Sequence, residues 1–208
     1  MRLSEIDDHN RGDHYYLTPQ DECFYLLEYT SGRDFSFSQA NQIISNLKKK
    51  PSERFIKGGY HYKAQVIRQA SNTLREAIHP DWLQRSTLIP VPGSKCVGHL
   101  DYDDRMEQIC RGIQDGLDVR NLVTQTVSTE AAHEAGINPR PTVEELIDLY
   151  QIDETLCDPA PTDIGVFDDV LTAGTHFKAM KTVLNRRFPG VRVSGFFIAR
   201  RVFPTPLE

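Results

Sequence analysis

Little in this sequence points to a membrane, a disulfide scaffold or a bulk nucleic-acid binder. No apolar run approaches the ~20 residues that a membrane-spanning helix requires. The polar opening MRLSEIDDHNRGDHYY does not read as a signal peptide. Cysteine is sparse: Cys23, Cys96, Cys110 and Cys157 stand far apart, with no CxxC pair and no zinc-type spacing to histidine. Four cysteines in 208 residues do not make a disulfide framework, and reduced thiols in a cytoplasmic protein are the expectation. Cationic charge is not in excess either. The formal charge is −5, so nucleic acid is not an expected partner, and Lys48-Lys49-Lys50, Arg186-Arg187 and Arg200-Arg201 read as solvated faces. Internal repeats and low-complexity segments are lacking. What remains is ordinary globular composition, 39% hydrophobic and 25% charged.

The apolar pattern alternates between helical and strand periods. Ala40, Ile43, Ile44 and Leu47 form a helical stripe before Pro51. Val66, Ile67, Ala70, Leu74, Ala77 and Ile78 form another that Pro80 stops. STLIPVP then reads as a buried strand, followed by a turn at Pro92-Gly93-Ser94-Lys95. Met106, Ile109, Cys110, Ile113 and Leu117 mark a helix; NLVTQTV reads as a second strand, IGVF as a third and VRVSGFFIA as a fourth. Helices between strands predict an α/β fold, an open, mostly parallel sheet with helices on both faces. The expected division is an N-terminal extension or hood over residues 1–60, in which ECFYLLEY reads as strand or short helix, and an α/β domain over 61–208. Between Ser128 and Asp163 only a short helix over VEELIDLY is expected, and so long a connection reads either as a surface insertion or as a lid.

Chemistry concentrates in IGVFDDVLTAGTHFKAM, residues 164–180. An apolar strand precedes the acidic pair Asp168-Asp169, and Phe177, Met180, Val183, Leu184 and Phe188 recur at helical spacing after it. The pair and the turn Thr172-Ala173-Gly174-Thr175 are therefore expected between strand and helix, where open α/β sheets bind ligands. The first N–H groups of such a helix lack intrahelical partners and carry partial positive charge, Gly174 permits close approach, and two threonine hydroxyls add donors. That is a phosphate cradle. The carboxylates suit hydroxyls of the same ligand or a metal ion held through water. Phosphate at one end and vicinal hydroxyls beside it describe a ribose 5-phosphate.

VFDDVLTAGTH resembles the signature of type I phosphoribosyltransferases, written V-D-D-V-hydrophobic-T-T-G-x-T. That family binds phosphoribosyl pyrophosphate (PRPP) with Mg²⁺. The resemblance implies that Asp168 and Asp169 hold the ribose hydroxyls and serve catalysis, with Mg²⁺ held by PRPP and by either carboxylate through water. It also implies that Thr172, Ala173, Gly174 and Thr175 wrap the 5-phosphate. His176 departs from the pattern, standing where a second Thr or Ser commonly binds that phosphate. LIPVPGSK resembles the first core strand and pyrophosphate loop of the competence-protein-F-like branch, which assigns Gly93, Ser94 and Lys95 to pyrophosphate. TQTVSTEAAHEAGINPRPT keeps Gln125, Thr126 and Ser128 of that branch's loop motif but lacks its regular arginines, leaving His133 and Arg140 as candidates. By the same resemblance, Phe203 stacks on a base that Arg200 or Arg201 bonds, although the residues themselves favour a plain role for Phe203 in packing the C-terminal tail onto the core.

The implied reaction is transfer of phosphoribose between pyrophosphate and a nitrogen acceptor such as a nucleobase, as part of nucleotide metabolism. Two alternatives stand beside it: a non-catalytic nucleotide or PRPP sensor, and a nucleotide-directed effector subunit of a larger assembly, for example in bacterial defence. A homo-oligomer or a partner protein is compatible with each.

Overall fold

In the computed structural model the described residues are 2–128 and 141–204. Their elements follow the apolar periods read above. Strand β1 (Ser4–Glu5) and strand β2 (Cys23–Thr30) lead into helix α1 (Gln39–Leu47). Helices α2 (His61–Ala77) and α3 (Pro80–Arg85) precede strand β3 (Thr87–Pro90) and helix α4 (Arg105–Ile113). Strand β4 (Val123–Gln125), helix α5 (Val143–Leu149) and strand β5 (Tyr150–Ile152) form a small unit before strand β6 (Asp163–Leu171), helix α6 (Thr175–Arg187) and strand β7 (Arg192–Val202). Ser38 caps α1 by accepting from the Asn41 N–H, and Pro80 stands in the first turn of α3, where a missing N–H costs nothing.

The main sheet has the order β1-β2-β7-β6-β3. β2, β7, β6 and β3 run parallel, and only the short β1 is antiparallel. The fold is thus α/β, with a mostly parallel sheet between helices. ECFYLLEY takes the strand form, and β2 pairs along its length with β7 in the same sheet as the rest. One buried cluster joins Ile164, Val166 and Phe197 to Phe177, Met180 and Leu184 of α6 and to Leu146 of α5. The other joins Phe167, Phe196 and Ile198 to α1, α2, α3 and α4. Strand alternation produces the two faces, so β6 buries residues on both.

Two expectations are corrected. NLVTQTV does not enter the main sheet as a full strand. Leu88 and Val119 make a single parallel bridge, and β4 instead pairs antiparallel with β5. Beyond that bridge the Arg120 guanidinium bonds Asp118 and the carbonyls of Leu156 and Pro159, contacts that hold the chain against the 156–159 segment. The acidic pair, expected after the third strand, lies inside it. β6 continues to Leu171, with Asp168 opposite Phe197 and Val170 opposite Ala199.

The α1–α4 face is tightly stacked around Phe196, whose ring lies 5.0 Å from Phe167 and 4.7 Å from Trp82. A Cβ on Gly165 would stand 2.6 Å from Trp82 Cη2 and 2.9 Å from Phe167 Cε2. Gly165→Ala should therefore destabilise the protein by about 1–3 kcal/mol through overpacking. Adding Trp82→Leu should recover part of that loss in urea unfolding, whereas strictly additive losses would contradict this packing.

Candidate functional site

All four parallel strands end at one edge of the sheet, and the candidate residues collect there. Pro90 is level with Phe167, and the Val91 N–H donates to the Phe167 carbonyl at 2.9 Å. The loop carrying Gly93, Ser94 and Lys95 therefore leaves the sheet beside Asp168. Gln125 and Ser128 hold that loop: Gln125 Nε2 donates to the Ser94 carbonyl at 3.2 Å, and the Cys96 N–H donates to Ser128 Oγ at 3.1 Å. His133 and Arg140 lie outside the described residues.

The two carboxylates have different environments. Asp169 is buried, 4% exposed. Arg105 of α4 donates to its Oδ2 from Nε at 3.2 Å and from Nη2 at 2.7 Å, while Lys48 Nζ stands 3.6 Å from Oδ1. Burial alone would push this carboxyl up; the charges of Lys48 and Arg105 outweigh it and hold the group well below the usual range. Arg105 also donates from Nη1 to Asp103 at 2.7 Å, and Asp103 accepts from Lys63 at 2.6 Å. A chain of alternating charge, Lys63–Asp103–Arg105–Asp169–Lys48, thus ties α2, α4 and the end of α1 to β6. Among the described residues Asp168 has no cation of its own. Its Oδ1 accepts the Asp169 N–H at 2.7 Å, and among the described residues Oδ2 has no hydrogen-bond partner. Burial first, then the Asp169 charge, raise its carboxyl to about 7.

The turn after β6 has the form a phosphate cradle needs. Gly174 takes φ +89°, a left-handed value that favours glycine, and it precedes α6 without any side-chain cap. Among the described residues, no acceptor faces the N–H groups of Gly174, Thr175 and His176. The N-terminal segment fixes the turn through its other groups. The Tyr16 N–H donates to the Ala173 carbonyl at 3.0 Å, and His14 Nδ1 meets the Thr172 carbonyl. Leu17 packs where a side chain on Gly174 would go, with Cδ2 at 2.9 Å from that position. Asp21 anchors the segment to α6 by accepting from Lys178 at 2.7 Å and Lys181 at 2.8 Å. Carbonyls are thereby used up and N–H groups left.

His176 lies in the first turn of α6, half-buried, and its Nδ1 is 2.7 Å from the hydroxyl of Tyr150. Burial lowers its pKa to about 4, against the opposing charge of Asp169. Sequence reasoning missed Tyr150, Arg105, Lys48 and His14. Tyr150 was visible only as the last apolar residue of VEELIDLY, and the other three are brought in by tertiary packing.

Arg200 and Phe203, the residues expected to bind a base, stand at the end of β7. Arg200 is held by Glu28 and Asp13, with its guanidinium 5.3 Å above the Tyr25 ring. Phe203 does not pack the tail onto the core: it is 57% exposed, with the Arg201 guanidinium 4.7 Å from its ring. A cavity of about 660 Å³ opens between the 51–64 segment and Tyr102, Asp103, Asp104 and Gln108. Asp103 in its wall belongs to the charge chain that reaches Asp169.

No protein-family model matches the chain, and no curated protein matches it in sequence. No helix among the described residues is long and apolar enough to cross a membrane.

The charge chain makes a direct prediction. Arg105→Met leaves Asp169 buried without its main partner, which should cost about 3–5 kcal/mol at pH 7. The folded Asp169 carboxyl is depressed, so its contribution is present above the unfolded carboxylate range and fades as pH falls below it. The penalty should accordingly shrink below about pH 4. Urea unfolding at pH 7 and pH 3.5 checks this; equal losses at the two pH values would contradict it.

Proposed function

We propose that the protein binds a ribose 5-phosphate group, with PRPP as the ligand, and transfers phosphoribose to a nitrogen acceptor. One observation carries the reading: an uncapped helix N-terminus with unpartnered N–H groups follows closely on a strand that carries, two residues before its end, two carboxylates of unequal pKa. Such N–H groups stabilise a phosphate by hydrogen bonds and by the helix dipole. Thr172 and Thr175 supply hydroxyls beside them. Asp168, with one oxygen unengaged, accepts the ribose hydroxyls; Asp169 serves mainly to keep Lys48 and Arg105 at the edge of the site. Gly93, Ser94 and Lys95, on the loop from the neighbouring strand, receive the pyrophosphate.

In the reaction the bond from ribose C1 to the pyrophosphate oxygen breaks, and the electron pair leaves with pyrophosphate. The acceptor nitrogen forms the new bond to C1, and its proton passes to solvent. C1 becomes oxocarbenium-like, as in other glycosyl transfers. The chain's residues act by positioning and charge rather than by covalent attack. Mg²⁺ fits as an ion brought by the substrate. Among the described residues, no group of three or more His, Cys, Asp or Glu side chains forms a resident site. The unengaged oxygen of Asp168 is the protein ligand that remains, directly or through water. When bound, the ion neutralises pyrophosphate charge.

A second reading, a nucleotide or PRPP sensor without turnover, draws support from Asp169, already neutralised by Arg105 and Lys48. The two readings separate on pyrophosphate release: an enzyme releases it with some acceptor in a panel of bases and nucleotides, whereas a sensor binds PRPP and releases none. A role as effector subunit in a larger assembly uses the same site and separates only on the target.

PRPP with Mg²⁺ should raise the melting temperature, and Asp168→Asn should weaken its binding by about 1.5–3 kcal/mol, the range for a charge-assisted hydrogen bond. Because Asp168 accepts best when ionised and its carboxyl is raised to about 7, wild-type affinity should rise roughly tenfold from pH 6 to pH 8. Titration calorimetry of both proteins checks this. The same pH slope in Asp168→Asn would remove Asp168 from the ligand site.

A further inference from the structure

We infer that Tyr150 is a positioning residue: its hydroxyl donates to Nδ1 of His176 and so fixes the imidazole as the tautomer that offers an Nε2–H to the phosphate. The inference rests on the ribose 5-phosphate reading and adds to it how a histidine serves in place of a hydroxyl residue.

The protons available to the pair decide the direction of the bond. Tyr150 is 5% exposed, on a strand at the end of α5, and its hydroxyl lies 2.7 Å from His176 Nδ1. Among the described residues this is the phenol's only hydrogen-bond partner. Two arrangements can fill that contact. In the first, the phenol donates to Nδ1, and the ring proton resides on Nε2. In the second, Nδ1–H donates to the phenol oxygen, and the phenol proton is left in a buried site with no acceptor. An unsatisfied buried donor costs about 1–3 kcal/mol, enough to select the first arrangement strongly. Both groups hold the protons this requires at neutral pH. Burial, then the Asp168 charge, push the phenol up, and burial pushes the imidazole down to about 4, so the pair is a neutral phenol and a neutral imidazole.

The consequence is directional. Nε2 has no partner among the described residues, and His176 belongs to the same helical turn as the unpartnered N–H groups. With the Nε2–H tautomer, the turn presents donors. With the opposite tautomer, a lone pair would face the phosphate and repel it. A neutral donor also avoids adding positive charge near Lys48. The second-sphere hydrogen bond thus does for an anion ligand what such bonds do for metal-ligating histidines, fixing which nitrogen faces the ligand.

Solution NMR of protein labelled with ¹⁵N-histidine reads the tautomer directly in the ligand-free state. Wild type should show His176 as the Nε2–H form, without titration from pH 5.5 to pH 8. Tyr150→Phe keeps the ring and its packing but should shift His176 toward a mixture of tautomers. Ribose 5-phosphate, measured by calorimetry, should then bind roughly threefold to tenfold more weakly, the range for one hydrogen bond. In a His176→Thr background, which supplies a hydroxyl, Tyr150→Phe should leave that affinity unchanged. An Nδ1–H tautomer in wild type, or an equal effect of Tyr150→Phe in both backgrounds, overturns the inference while leaving the phosphate site intact. The Nε2–H tautomer without any ribose 5-phosphate binding overturns the proposed function and the ligand role of His176 with it.

Discussion

Asp169 is a charge buried inside a strand, and much else follows from neutralising it. Arg105 must reach it from α4 and Lys48 from the end of α1, so both helices are held close to the carboxyl edge of the sheet. Arg105 in turn needs Asp103, and Asp103 takes Lys63 of α2. The result is a set of ion pairs that also positions one wall of the cavity beside Tyr102. A network of this kind is weak evidence for net stability but strong evidence for a fixed geometry, because loss of any one member leaves a buried charge.

The neighbouring carboxylate gains its character from that arrangement. With the cations committed to Asp169, Asp168 is left to burial and like-charge repulsion, and it becomes the titrating member of the pair. Adjacent groups of one type are thereby split into a structural anion and, in the function we propose, a ligand-facing acceptor, as perturbed pairs at functional sites often are. The N-terminal segment completes the edge from the other side. Through His14, Tyr16 and Leu17 it occupies the carbonyls and the glycine face of the turn after β6, while the N–H groups of the helix N-terminus have no partner among the described residues.

The sequence revealed the scaffold where periodicity was strong. Ala40 to Leu47, Val66 to Ile78 and Phe177 to Phe188 all form the helices their spacing demanded, and Gly174 stands where a left-handed turn residue was needed. The acidic pair was legible as a site feature, but not as members of the strand, because a charge normally ends a buried run. Only the partners Arg105 and Lys48, distant in sequence, make its burial tolerable. NLVTQTV looked like a core strand because its pattern is apolar; the carbonyls that capture Arg120 come from residues far along the chain. Tyr150 was hidden for the same reason, since a tyrosine closing a short helix carries no sign of the histidine it will meet.

The central claim is that the turn from Thr172 to His176 is a phosphate site. A titration of ribose 5-phosphate followed by backbone amide NMR tests it most directly. The amides of Gly174, Thr175 and His176 should shift first and furthest, as their unpartnered N–H groups acquire an acceptor. Saturating shifts confined to the cavity beside Tyr102 and Asp104, or no saturable shifts at all, would contradict it.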